Sequence, residues 1–131
     1  MSFNRVEALP DYACVDVIID GHEDWDSATD VIVEMIELAE ARGWSRILID
    51  FTRVNLRVAL VEAPEIAKFF DSFVNHPMTL AIVLPVADTD RVIIGAFASA
   101  LHYLGHAVSV LHSDADRMAW LAGSEPRRAN G

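Results

Sequence analysis

Leu80 to Trp120, LAIVLPVADTDRVIIGAFASALHYLGHAVSVLHSDADRMAW, is the stretch whose reading decides the fold. Leu80 to Leu84 is an unbroken apolar run between Thr79 and Pro85, the pattern of a strand buried on both faces in a parallel sheet. Pro85 removes a ladder donor and turns the chain, and Asp88 or Thr89 offers an oxygen to cap the amides of a helix start. Down that helix Ile93, Phe97, Ala100, Leu101 and Leu104 repeat at the spacing of one buried stripe, with Arg91, Gly95 and His102 opposite. Gly105 sits where a left-handed residue ends a helix. Val108 to Leu111 reads as the next strand, and Ser113 with Asp116 resembles a capping box for a short closing helix. Strand, helix, strand in this order is a parallel crossover, which is right-handed almost without exception.

Working outward, Phe3 to Leu9 and Cys14 to Ile19, joined by a turn at Pro10-Asp11, predict an antiparallel hairpin at the sheet edge. Gly21 is read as the end of its second strand, and Asp24 or Asp26 as the cap of a long helix. The buried stripe of that helix is Ala28, Ile32, Met35, Ile36 and Ala39, and Asp30, Glu34, Glu37 and Glu40 form a solvated acidic row. Gly43 and Trp44 end it. Ile47 to Phe51 is the third strand. Residues 54–63 carry mixed signals, alternating like a strand at Val54, Leu56, Val58 and Leu60; a loop after Arg53 is the reading adopted, followed by a helix from Pro64 to Val74. The sum is a single α/β domain over 1–123, with a mixed sheet of one antiparallel hairpin and a parallel remainder under about four helices, and a flexible tail at 124–131.

A chain of 131 residues, 53% hydrophobic and 23% charged, supports one proper core. Its net charge of −10 argues against phosphate-backbone and anionic-membrane binding, so neither nucleic acid nor an integral membrane position is expected. No apolar run is long enough to span a bilayer, and no leader is read at the N-terminus; a cytoplasmic location is the expectation. The lone Cys14 excludes a disulfide framework and reads as a small buried hydrophobe.

With the elements laid out, the chain resembles the SpoIIAA-like branch of the STAS superfamily (STAS/SEC14-like domains). Arg46 to Thr52, RILIDFT, is similar to that family's central strand ending in an aspartate. Leu80 to Leu84 is similar to its next core strand, and Val108 to Leu121, VSVLHSDADRMAWL, to its closing strand and helix. The resemblance implies a bacterial regulatory or protein-interaction module. In the family's anti-anti-sigma members, the helix after the central strand opens on an Asp-Ser-Ser/Thr-Gly motif whose serine is phosphorylated. This chain departs from that pattern: no serine occurs between Ser45 and Ser72, and Thr52 lies too early to substitute. No phosphoserine switch of that kind is expected.

For chemistry, Asp50, Thr52, Arg53, Asp88, Thr89 and Arg91 lie at or beyond predicted strand ends, where open α/β sheets bind ligands, and are the candidate ligand-binding residues. The simpler reading, which the residues favour, is that Asp88 and Thr89 cap a helix and Asp50 closes a turn. His102 and His106 stand at i, i+4, but Gly105 ends the helix between them, and no metal site or cofactor is expected. No catalytic constellation is found. On the wide stripe of the Val92–Leu104 helix, Val92, Ile94 and Tyr103 exceed what one face needs. They pack on a neighbouring helix or form a surface for a protein partner or a homodimer. The function expected is non-enzymatic interaction or regulation. The alternatives are a small-ligand binder for lipid or nucleotide, as the SEC14-like resemblance implies, and a hydrolase using the strand-end aspartates Asp20, Asp50 and Asp88.

Overall fold

The computed structural model describes residues 4–123, so the expectations for the tail at 124–131 and for Phe3 lie outside the described residues. Strands β1 (Arg5–Leu9) and β2 (Cys14–Glu23) form the antiparallel hairpin. They are followed by α1 (Trp25–Arg42), β3 (Arg46–Leu56), α2 (Ala63–Phe73), β4 (Thr79–Val83), α3 (Asp88–Tyr103), β5 (Ala107–Leu111) and α4 (Asp114–Gly123). The sheet has the order β1-β2-β3-β4-β5, parallel everywhere except in the hairpin. The expected α/β fold with a mixed sheet is the one observed.

A sheet wound in sequence order by crossovers of one hand collects its connecting helices on one face. Alternation along the strands then separates two cores. Val15, Val17 and Ile19 of β2, Ile47, Ile49 and Phe51 of β3, and Leu80 and Ile82 of β4 pack against α1, α2 and α3. Cys14, Leu48, Ala81, Val83 and Leu111 turn to the other face, where α4 covers them with Leu121 and Trp120.

The helix ends follow their residue types. Asp24 accepts from the Ser27 amide while the Ser27 hydroxyl accepts from the Asp24 amide, a reciprocal cap at the start of α1. Gly43 and Gly105, both at positive φ, close α1 and α3, and the next residue in each case bonds back to a carbonyl of the last helical turn. Ser113 caps α4 by accepting from Asp116 N, and the Asp116 carboxylate accepts from His112 N.

Four expectations are corrected. Gly21 does not end β2: the register shifts between Ile18 and Asp20, Gly21 takes a positive φ, and pairing continues to Glu23. A glycine in a strand marks a bulge as readily as an end. β3 accordingly runs on to Leu56, pairing with Gly21–Glu23 in place of the expected loop, so Asp50 lies mid-strand. The residue before α3 is Ala87, which makes no side-chain cap; Asp88 and Asp90 sit instead within its first turn, where the helix dipole favours negative charge. The buried stripe of α3 is rotated to Ile94, Phe97, Ala98 and Leu101. Ile94 is therefore a core residue, 4% exposed, rather than surface, whereas Val92 and Tyr103 are 59% and 90% exposed.

Candidate functional site

The face under α4 carries the densest polar arrangement of the described residues. Asp50, Leu48 and Arg46 alternate toward it along β3, opposite the core-facing Ile49 and Phe51. Asp50 Oδ1 accepts from the Thr52 amide at 2.8 Å and the Thr52 hydroxyl at 2.6 Å. Its Oδ2 accepts from Arg117 of α4, forming an ion pair mostly withdrawn from solvent. Both oxygens are thus occupied by donors of the fold itself.

Arg46 fastens the far end of α4. Its Nη1 donates to the Tyr12 carbonyl at 2.6 Å, its Nη2 to the Trp120 and Leu121 carbonyls at 3.0 and 3.3 Å, and its guanidinium lies 4.4 Å from the Trp120 ring centroid. The Trp120 and Leu121 carbonyls belong to the last turn of α4, where no intrahelical donor is available. On the same face Asp16 of β2 stands beside Leu48 of β3 and opposite Glu7 of β1. Its Oδ1 is buried and finds no hydrogen-bond partner among the described residues. Burial raises the Asp16 carboxyl above the ordinary range, Arg117 pulls it back, and Glu7 and Asp50 push it further up. Cys14, on the same face, is completely buried, and burial pushes its thiol up to about 12, so it is no nucleophile.

The six candidate ligand residues are split between the two sides of the sheet. Asp50 and Thr52 belong to the network under α4, and Arg53 reaches Asp20 at 3.5 Å across the exposed end of β2 and β3. Asp88, Thr89 and Arg91 form the first turn of α3, where Arg91 donates to the Pro85 carbonyl at 3.3 Å. Among the described residues no hydrogen bond or ion pair joins the two groups of three.

Two further features lie on the helix-covered side. A cavity of about 50 Å³ opens between the sheet and α1–α3, lined by apolar side chains including Ile32, Met35, Phe51, Val58 and Ile93, with Glu23 at its edge. Glu23 is 3% exposed and its Oε1 accepts from Asn4 and Ser27. Burial raises its carboxyl, and those two hydrogen bonds oppose the rise. His106, just beyond α3, is buried; its Nδ1 accepts from Met78 N at 2.9 Å. The ring proton therefore sits on Nε2, which donates to Asp71 at 2.9 Å. Phe70 meets the ring edge-on at 5.4 Å. With both nitrogens engaged, His106 ties α2 to Met78 just before β4, and His102 stands apart on the exposed side of α3. Among the described residues no group of three or more His, Cys, Asp or Glu is placed to hold a metal ion, and no helix is long and apolar enough to cross a membrane.

Asp16, Glu23, Arg46, Arg117 and the His106–Asp71 pair all escaped the reading of the sequence. Asp16 left a signal, a lone carboxylate inside Cys14–Ile19 on the face shared with Leu48 and Asp50. The two arginines left none, because their partners are carbonyls and a carboxylate distant in the chain.

No protein-family model matches the chain, and no curated protein matches it. Solved structures do. The anti-sigma factor antagonist SpoIIAA in its unphosphorylated form superposes with a TM-score of 0.52 at 11% identity, over 92% of this chain and 99% of that one. An uncharacterised protein of the DUF3478 family with a SpoIIAA-like fold, from Shewanella loihica, gives 0.58 at 15% identity, over 92% and 95%. The fold is therefore STAS-like, of the SpoIIAA kind.

Proposed function

We propose that this chain is a STAS-like protein-interaction or regulatory module of the bacterial cytoplasm that works without the phosphoserine switch of the anti-anti-sigma type and without enzymatic turnover. The observation that carries the proposal is the segment between the central strand and α2. SpoIIAA is an anti-sigma factor antagonist of this fold. Here residues 57–62, leading into α2, contain no hydroxyl, and α2 starts without a side-chain cap. Thr52 is no substitute. It lies inside β3, and its Oγ1 is bonded to Asp50, so a phosphate there would be set against a carboxylate. The exposed Val92 and Tyr103 of α3 are the proposed contact residues for a protein partner.

Native mass spectrometry of the protein purified from its own host tests this. The expected result is an unphosphorylated chain in a stoichiometric protein complex. Stoichiometric phosphate on Thr52 would overturn the absence of a switch. Turnover of a metabolite that is abolished in a folded Asp50→Ala variant would overturn the non-enzymatic reading.

The cavity beside Glu23 favours a second reading, a binder of small apolar molecules. At about 50 Å³ it admits a short alkyl group rather than an acyl chain or a nucleotide. The candidate set Asp50, Thr52, Arg53, Asp88, Thr89 and Arg91 serves this reading only if one ligand spans both sides of the sheet end. A hydrolase built on Asp20, Asp50 and Asp88 gains no support, since Asp20 and Asp50 belong to separate pairings and Asp88 opens α3.

A further inference from the structure

The two edges of the sheet are built differently. β1 carries Arg5 and Glu7, an ion pair at 2.9 Å, and is followed at once by Pro10, the charges and proline that keep an edge from pairing with other chains. β5, AVSVL, is the opposite edge, and Ala107, Ser109 and Val110 are exposed, Val110 by 39%. Yet it holds no charged residue in a chain with a net charge of −10. β4 is the other strand without charge, and it is buried; β5 lacks charge while facing solvent.

The backbone groups that this edge offers follow from one bond. Ala107 N donates to the Met78 carbonyl, so Ala107 faces β4. Alternate residues of a parallel ladder bond to the same neighbour, which turns Ser109 and Leu111 toward β4 as well and leaves the N–H and C=O of Val108 and Val110 pointing outward. Val108 and Val110 stand symmetrically about Ser109, with the apolar Ala107 and Leu111 outside them. Laid antiparallel on its own copy, Val108 meets the partner's Val110 as a hydrogen-bonded pair, Ser109 meets the partner's Ser109 as a non-hydrogen-bonded pair, and Ala107 meets the partner's Leu111. α4 packs beneath Cys14, Leu48, Ala81 and Val83 and reaches β5 at Leu111, while Ala107 and Ser109 on the same face stay exposed.

We propose that β5 is a homodimerisation edge, joining two copies about a two-fold axis at Ser109 into one continuous ten-stranded sheet. The occupant is a second copy because the pairing is self-complementary in register and apolar on the helix-covered side, where Val108 already packs on the core. A monomer would remove this inference and leave the regulatory reading intact.

Sedimentation equilibrium on the full chain, from roughly 1 to 100 μM, tests it. The wild type is expected to be dimeric, and Val110→Lys, which sets a charge on the exposed edge, to weaken the dimer at least ~100-fold while keeping the wild-type circular dichroism. Ser109→Cys supplies an independent readout. A non-hydrogen-bonded pair holds its Cα atoms about 4.5 Å apart, within the roughly 4.4–6.8 Å that a disulfide spans. Mild oxidation should therefore give covalent dimer in Ser109→Cys and none in Ser99→Cys, on the exposed side of α3. A monomer across the whole range overturns the proposal, as does a dimer that neither responds to Val110→Lys nor cross-links through Ser109→Cys.

Discussion

One face of the sheet meets three helices and the other meets a single short one, and the side chains each presents differ accordingly. Toward α1–α3 the strands show β-branched and aromatic residues, and the helices answer with Met35, Ile36, Ile66, Phe70, Phe97 and Leu101. Toward α4 the same strands alternate apolar residues with Asp16, Arg46 and Asp50. A face sealed by three helices gains its stability from non-directional apolar burial. A face under one helix holds polar groups, and what it costs to bury them depends on the partners they find. α4 buries only Leu121 fully, so its attachment relies on Arg46 and on the Asp50–Arg117 pair.

The contrast is broken most directly by truncating one buried side chain on each side. Phe70→Ala, at a completely buried site, is expected to cost about 3–5 kcal/mol by denaturant unfolding. Leu121→Ala is expected to cost about 2 kcal/mol, near the low end for such truncations, because α4 can lift locally. Native-state hydrogen exchange should show the same asymmetry, with α4 amides exchanging by local opening in both variants and α2 amides only by global unfolding.

Arg46→Met sharpens the comparison next. It retains the aliphatic stem but leaves the Tyr12, Trp120 and Leu121 carbonyls without the guanidinium, for an expected loss of roughly 2–4 kcal/mol. Lysine at this position should restore little, since a point charge cannot bond several carbonyls and stack on Trp120 together. Arg117→Leu follows at roughly 1–3 kcal/mol, because Asp50 then keeps a mostly buried carboxylate with only Thr52 to answer it. Adding Asp50→Asn to Arg117→Leu should recover part of that loss, and a double-mutant cycle reads the coupling.

How much of this could be read from the chain follows the same division. The helix-covered side was legible because its signals are local. Leu80–Leu84 shows its burial as an apolar run, Gly43 and Gly105 punctuate the helices, and the Asp24 cap is written within three residues of Ser27. The side under α4 was not, because its contacts join residues 34 to 75 positions apart, as Arg46 does with Tyr12 and Leu121. Nothing local to RILIDFT says that its arginine will close the last turn of a distant helix. Asp50 was singled out for lying near a strand end; β3 runs on to Leu56, and its carboxylate serves Arg117 and Thr52 instead. The slip in α3 from Ile93 to Ile94 has a related cause. Apolar residues at 92, 93 and 94 permit either stripe, and only packing on the sheet and α2 chooses.

The smallest effects concern the two raised carboxyls, one on each side of the sheet, and their sign is opposite to that of ordinary acid denaturation. Asp16 and Glu23 both have folded values above their ordinary ones, with burial as the leading cause. Such a group binds its proton more tightly folded than unfolded, so its contribution is fully present below the ordinary carboxylate range and is lost as pH rises through the folded value. Between neutral pH and the mid-acid range each should therefore make the protein more stable as pH falls. Glu23→Gln keeps an oxygen to accept from Asn4 and Ser27, and Asp16→Asn keeps the shape of a side chain whose Oδ1 has no donor to lose. Each is expected to stabilise the protein by up to about 1 kcal/mol at neutral pH and to flatten its stability profile as pH falls from neutral toward the ordinary carboxylate range. Asp16 separates the faces further, because Arg117 opposes its rise while no cation is set against Glu23 among its leading influences. In an Arg117→Leu background, Asp16→Asn should gain stabilisation and Glu23→Gln should not. Equal responses of the two in that background would mean that the polar network under α4 does not reach Asp16.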